Sequence, residues 1–254
     1  MRRCLLLVLG LSVIFLFCAS CVVAVVGNPE YGRFLPPKEF HKNVPLPAGG
    51  TLSLENWGGD ILINGWEKDE VDITAEEISG RSFGRRIQFI NKRGLEPNVQ
   101  VDEEDGFIRI WTDESARDDE TSRVNYTLNV PHSVNLKDIL NRKGDIHITD
   151  LYGKVSLNLQ EGDVRIENFS GTLDASVSRG SIEAEILDLR EEDEVKILVR
   201  EGDITLSLES GAEAWIEAST PHGDLSSDFD LKSQKGTRIS LTAFNGDIRI
   251  KKSG

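Results

Sequence analysis

Seven copies of a short glycine-led step hold most of the residues that could do chemistry. Gly59-Asp60, Gly144-Asp145, Gly162-Asp163, Gly202-Asp203, Gly223-Asp224 and Gly246-Asp247 each precede a β-branched residue or leucine. Gly180-Ser181 keeps the phase with a hydroxyl instead of the acid. Aspartates repeated along one edge would offer oxygen ligands to Ca²⁺. The same side chains can instead accept hydrogen bonds from backbone N–H groups and cap their own turns. Capping is the preferred reading, because Ser181 interrupts the row and the spacing has no calcium-loop pattern. Acids beside Arg165 or Arg249 would suit a carbohydrate-active β-helix enzyme, but both arginines fall at outward strand positions, where a solvated charge is ordinary. His41, His132, His147 and His222 do not share a phase. No metal, no cofactor and no catalytic set is expected.

Four tryptophans are the other candidates. Trp57, Trp66 and Trp111 could present flat faces to a sugar or a protein; Trp215 alternates out of phase with Ala214 and Ile216 and should face outward. Covering the body or end of the fold is the plainer role for all of them.

These residues need strands to position them. Ile146 and Ile148 flank His147, Val164 and Ile166 flank Arg165, and Ile204, Leu206 and Leu208 alternate with Thr205 and Ser207. Period two puts one face on a core and one in water. The glycines from Gly144 onward recur after 18, 18, 22, 21 and 23 residues. Gly153 and Gly171 mark a second turn within two of the units. One unit therefore reads as two short strands and two turns. A lone unit cannot bury its apolar side, so the expected fold is all-β, a β-solenoid or β-helix-like stack of short strands with one continuous core. A β-sandwich is the rival architecture.

The first 26 residues stand apart. Met1-Arg2-Arg3 precedes an apolar run from Cys4 to Val26, about 34 Å long as a helix and enough to span hydrocarbon. Arginines in front favour a cytoplasmic N-terminus and an exported remainder. Cys18-Ala19-Ser20-Cys21 resembles a lipoprotein cleavage box, which makes Cys21 a lipidation candidate; a retained span and plain secretion are the alternatives. Residues 27–48, with five prolines, read as a tether. Residues 49–250 form the strand-repeat domain, irregular over 49–133 and regular over 134–250. Glu76-Glu77-Ile78 reads as the start of a short helix. The formal charge of −14 disfavours nucleic acid and anionic surfaces, and all three cysteines lie in the leader.

The repeated Gly-Asp-Ile strands, together with Leu52 to Ile61, Gly65-Trp66-Glu67-Lys68-Asp69-Glu70-Val71 and Val124 to Pro131, resemble the bacterial putative-adhesin family, a strand-repeat domain of unknown function. The resemblance covers about residues 47–250. It implies a β-helix-like fold and an exported, membrane-tethered location in the cell envelope, and it brings no catalytic residues. The expected function is non-catalytic binding or scaffolding, with the membrane met through the N-terminus and a glycan or envelope protein as partner. An envelope-stress or signalling accessory acting through a membrane partner is the alternative, and a carbohydrate-active enzyme the third.

Overall fold

The computed structural model describes residues 38–78, 80–83, 86–89, 98–113, 123–231 and 233–253. The leader, Cys21, the tether up to residue 37 and most of the acidic loop at 112–121 lie outside the described residues.

Every regular element among them is a strand. In chain order these are β1 Lys38–Pro45, β2 Thr51–Asn56, β3 Ile61–Trp66, β4 Glu70–Ile78, β5 Gly80–Phe83, β6 Arg86–Phe89, β7 Val99–Glu104, β8 Phe107–Thr112, β9 Arg123–Pro131 and β10 Asn135–Lys143. Then come β11 Ile146–Glu161, β12 Val164–Arg179, β13 Ile182–Asp188, β14 Glu194–Glu201, β15 Ile204–Glu209, β16 Ala214–Ser219, β17 Leu225–Ser227, β18 Thr237–Asn245 and β19 Ile248–Ser253. Only β5 and β6 form a separate hairpin.

The rest builds a solenoid with two parallel faces. The first runs β8, β2, β10, the second half of β11, the second half of β12, β14, β18, β16. The second runs β9, β3, the first half of β11, the first half of β12, β13, β15, β19, β17. Each Gly-Asp step carries the chain from the first face to the second. β11 and β12 each run through both faces, bending at Asp150 and Asn168, which hold φ of 58° and 52°.

The inner rows hold register along the stack apart from bulges between Leu136 and Ile139 and between Ile166 and Ser170. Tyr126, Ile61, Ile146, Val164, Ile182, Ile204 and Ile248 form one such row, each at most 1% exposed. A matching aliphatic row comes from the first face, and the two interdigitate into a single core. Alternation in the sequence thus becomes one continuous apolar interior, at about 1.5–3 kcal/mol of burial for each large side chain.

Three features differ from the sequence reading. The coils do not stack in chain order. β18 and β19 insert between the coil of β14 and β15 and the coil of β16 and β17, so the chain runs out to the end and returns. The same happens at the other end, where β8 and β9 lie outside β2 and β3. Glu76-Glu77-Ile78 is no helix start; it ends β4, which lies antiparallel between β1 and β9. Lys38–Pro45, read as part of a tether, is itself a strand of the fold.

The inner row next to the turns changes character along the stack. Leu159, Val177, Val199 and Ala243 occupy it in later coils, but Asn56 and Asn141 hold it earlier. Their amides donate to Val124 O at 2.9 Å and Gly59 O at 3.0 Å, satisfying turn carbonyls that face the interior. Thr112 Oγ1 donates to Asn56 Oδ1 at 3.1 Å and shares a 2.8 Å bond with the Tyr126 hydroxyl. Burial pushes the Tyr126 phenol up.

Candidate functional site

The Gly-Asp steps align into one ladder along the solenoid edge. The backbone N–H of Asp60 donates to Asn125 Oδ1, that of Asp145 to Asp60 Oδ1, and that of Asp163 to Asp145 Oδ1, each at 2.9 Å. Ser181 N–H reaches Asp163 Oδ1 at 2.8 Å, and Asp203 N–H reaches Ser181 Oγ at 3.1 Å. Asp247 N–H then bonds Asp203 Oδ1, and Asp224 N–H bonds Asp247 Oδ1, at 2.8 and 3.0 Å. Each aspartate but the terminal Asp224 therefore secures the turn of the neighbouring coil rather than its own. Ser181 does not break the row, because a hydroxyl accepts the same bond. Among the described residues no group of acids, histidines or cysteines is arranged to hold a metal ion.

Glycine is required here by two independent constraints. Gly162 and Gly180 hold φ of 137° and 131°, which side chains rarely adopt. A Cβ on Gly180 would also meet the Gly162 carbonyl oxygen. The steps at Gly59, Gly144, Gly202, Gly223 and Gly246 are similarly tight against the next coil.

Beside this ladder, the outer side of the second face carries a charged groove of about 510 Å³. Its central row, in register, is His147, Arg165, Glu183, Thr205 and Arg249. Thr205 is the short member between Glu183 and Arg249. His147 Nε2 lies 2.8 Å from Glu167 Oε2, and Arg165 Nε donates to Glu167 Oε1 at 2.9 Å. These two contacts, His147 first, hold the Glu167 carboxyl below its usual range. Arg249 bridges Asp203 Oδ2 at 3.3 Å and Asp247 Oδ2 at 2.7 Å, tying the groove to the ladder. The hydrogen bond and charge of Glu167 also hold the Arg165 guanidinium more firmly protonated. That is the reverse of what a basic catalyst needs. The groove thus presents fixed donors and acceptors of both signs along the outer side of the second face.

The tryptophans do not come together. Trp57 lies beside the first Gly-Asp step with Arg142 over its ring at 5.4 Å. Trp66 donates Nε1 to Glu70 O at 2.8 Å and carries Lys68 at 4.2 Å. Trp111 faces out of β8 with Arg109 at 5.3 Å. Trp215 faces out of β16 with Arg238 at 5.5 Å. A cation thus sits near each ring, which suits the covering role over an open platform. The sequence reading missed Tyr152, which is 52% exposed and stacked on His132, because it recurs in no other unit.

Fold and face define the class: a two-sheet parallel β-solenoid of stacked repeats. Residues 131–252 match the family model described as Toastrack DUF4097, so in this repeat-bearing part the chain is similar to that family. The stretch from 47 to 130, which shares the turn pattern, lies outside the match. Among solved structures, the chain is similar to a "putative cell adhesion protein" from Clostridium sporogenes. Identity is 14% and the TM-score 0.50, with 85% of this chain and 100% of that one covered. A "putative adhesin" from Bacteroides fragilis is 14% identical with a TM-score of 0.32, covering 85% of this chain and 97% of that one. Another from Parabacteroides distasonis is 11% identical with a TM-score of 0.30, covering 85% and 98%. No curated protein matches the chain significantly.

Proposed function

We propose that this chain is a non-catalytic binding or scaffolding module of the bacterial cell envelope, held at a membrane by residues 1–26 and contacting its partner through the charged face of the solenoid. The observation that carries the reading is the row from His147 to Arg249, where ionic side chains are fixed by one another across successive coils. Such a face is pre-organised, so little side-chain entropy is lost when a glycan or a protein strand lies along it. The apolar run behind Arg2 and Arg3 supports attachment, with Cys21 as the lipidation point. Among the described residues no helix is long and apolar enough to cross a membrane.

The test is cross-linking and capture from intact cells. The full chain, a chain lacking residues 1–26 but exported by a cleavable signal, and a triple variant Arg165→Ala, Glu183→Ala, Arg249→Ala are compared. The reading expects the partner to survive loss of the leader and to be lost in the triple variant. Capture that needs residues 1–26 and ignores the triple variant overturns it in favour of an accessory acting through the membrane segment. Mass spectrometry of the mature N-terminus reads the anchor directly, as diacylglycerol on Cys21.

A further inference from the structure

The lateral edge opposite the Gly-Asp ladder holds an aromatic side chain that the core does not use. Tyr152 sits just after the bend of β11 at Asp150 and is 52% exposed. Its backbone N–H donates to His132 O at 2.7 Å, and the two rings stack with centroids 5.3 Å apart and planes 24° from parallel. His132 is itself pinned. Its Nδ1 lies 2.7 Å from Asp150 O, and Gly65 packs so closely that a Cβ there would strike both Asp150 O and the imidazole. The phenol ring is therefore held by a fixed support on one side.

On the other side Tyr152 is in register with Ser170, and Ser170 with Asp188. Serine is too small to cover the ring, and the exposure of Tyr152 leaves its other face open above Ser170, a notch whose width follows from the coil spacing. Beyond the notch stand Asp188 and the exposed Leu187. Neighbouring coils lie about 4.8 Å apart, so Tyr152 and Asp188, two coils apart, are separated by about 10 Å. A flat saturated ring in van der Waals contact on both sides, about 4 Å each way, fills such a gap. The chemistry matches as well: an aromatic plane for an apolar C–H face, with a hydroxyl at the floor and a carboxylate opposite for ring hydroxyls.

We propose that the notch over Ser170, walled by Tyr152, is a binding subsite for one pyranose unit of a glycan. This rests on the reading of the chain as a binding module and names a ligand class for it at a place separate from the charged groove. Tyr152 supplies the stacking plane, His132 positions it, and Ser170 and Asp188 provide hydrogen bonds.

The test titrates the full chain, purified in detergent, with chitohexaose, cellohexaose and mannohexaose, read by saturation-transfer NMR and calorimetry. At least one binds. Tyr152→Ala weakens that binding by about tenfold or more, as loss of a stacked anchor does, and Tyr152→Phe stays within about twofold of the parent. Ser170→Phe fills the notch from an outward position and abolishes binding while leaving the thermal unfolding transition in place. The proposal is overturned if none of the three sugars binds, or if Tyr152→Ala and Ser170→Phe bind like the parent. In either event, continued partner capture through Arg165, Glu183 and Arg249 leaves the module reading standing, so the two failures are told apart.

Discussion

The two ends of the solenoid are finished by different means. At the end built first, the stack stops being parallel. β7 pairs antiparallel with β8, β4 pairs antiparallel with β9, and β1 covers β4. Lys42 of β1 reaches Glu103 of β7 at 2.6 Å, joining the margins of the two faces. Ile73 and Ala75 of β4 are fully buried. At the other end, the coil of β16 and β17 has no further strand beyond it among the described residues. Its inward side chains shrink instead. Ala214, Ile216 and Ala218 form one side, and Leu225 and Ser227 replace the isoleucines of the preceding coil on the other. Leu225, in a row otherwise sealed, is 41% exposed. β17 is only three residues long, which limits edge pairing with another chain.

The ladder of turn bonds gives the stack a direction. Each coil donates an N–H toward the β8–β9 end and presents a side-chain acceptor toward the β16–β17 end. At the first of these ends β4 pairs with β9, so that β9 is not left as an open edge. At the far end the carboxylate of Asp224 and the outward backbone groups of β16 and β17 meet water instead of a further strand. One end thus has a cover and the other only a taper.

The comparison is broken most directly by a charge on each side. Ile73→Asp under the β4 cover should cost more than about 4 kcal/mol and leave little folded protein, because the carboxylate would be buried without a partner. Leu225→Asp should cost less than about 0.5 kcal/mol, since water already reaches that position. Chemical denaturation of both variants measures the gap. Equal losses would mean that the β16–β17 end is sealed in solution by something the fold does not show.

Much of this was legible in the residues, and the rest was hidden for identifiable reasons. Alternation around His147, Arg165 and Thr205 fixed both the strands and their outward rows, since period two has one geometric meaning. The Gly-Asp phase fixed the turns. The order of coils was not legible, because a coil inserted out of turn needs the same number of residues as one added in sequence. The cover was missed at Glu76-Glu77, where adjacent acids mask alternation that Val71, Ile73 and Ala75 had kept. Asn56 and Asn141 could have been caught: each ends an aliphatic run at an inward position, and a buried amide there must find a carbonyl. For the site, the charged row was visible as outward residues, but its ion pairs depend on which coil lies next to which. Tyr152 gave no signal, since its support comes from His132, which belongs to the preceding coil.

A smaller effect sharpens the argument about ladder polarity. Asp163→Ala removes an acceptor from the Ser181 N–H in the middle of the stack. The loss should be about 1–2 kcal/mol, the usual range for a turn N–H stripped of its side-chain acceptor. Asp224→Ala at the terminal coil removes an acceptor that receives no turn N–H, and should fall within about 0.5 kcal/mol of the parent. Thermal melts of the two variants, run side by side, test whether the bonds act between coils. Similar losses would mean that each aspartate works within its own turn.

The smallest expected effect is a pH dependence confined to the middle coils. Glu167 is held below its ordinary value of 4.5 by the hydrogen bond from His147 and then by that from Arg165. Its carboxyl is more readily ionised folded than unfolded, so its contribution is complete above the unfolded value and disappears as pH falls through the lower folded one. The window therefore opens near pH 4.5 and extends downward. Glu161 follows the same sign through Lys143. Both carboxylates are partly solvated, so screening keeps the effect small. Glu167→Gln should flatten the acid limb of stability against pH while leaving the neutral plateau nearly unchanged. Because the β4 cover and the tapered coil do not depend on this pair, amide exchange at low pH should rise first around β11 and β12 in the parent and lose that preference in the variant. Exchange that begins instead at β16 and β17 in both proteins would make the tapered end the weakest point at acid pH, and the ion pairs of the central face incidental to it.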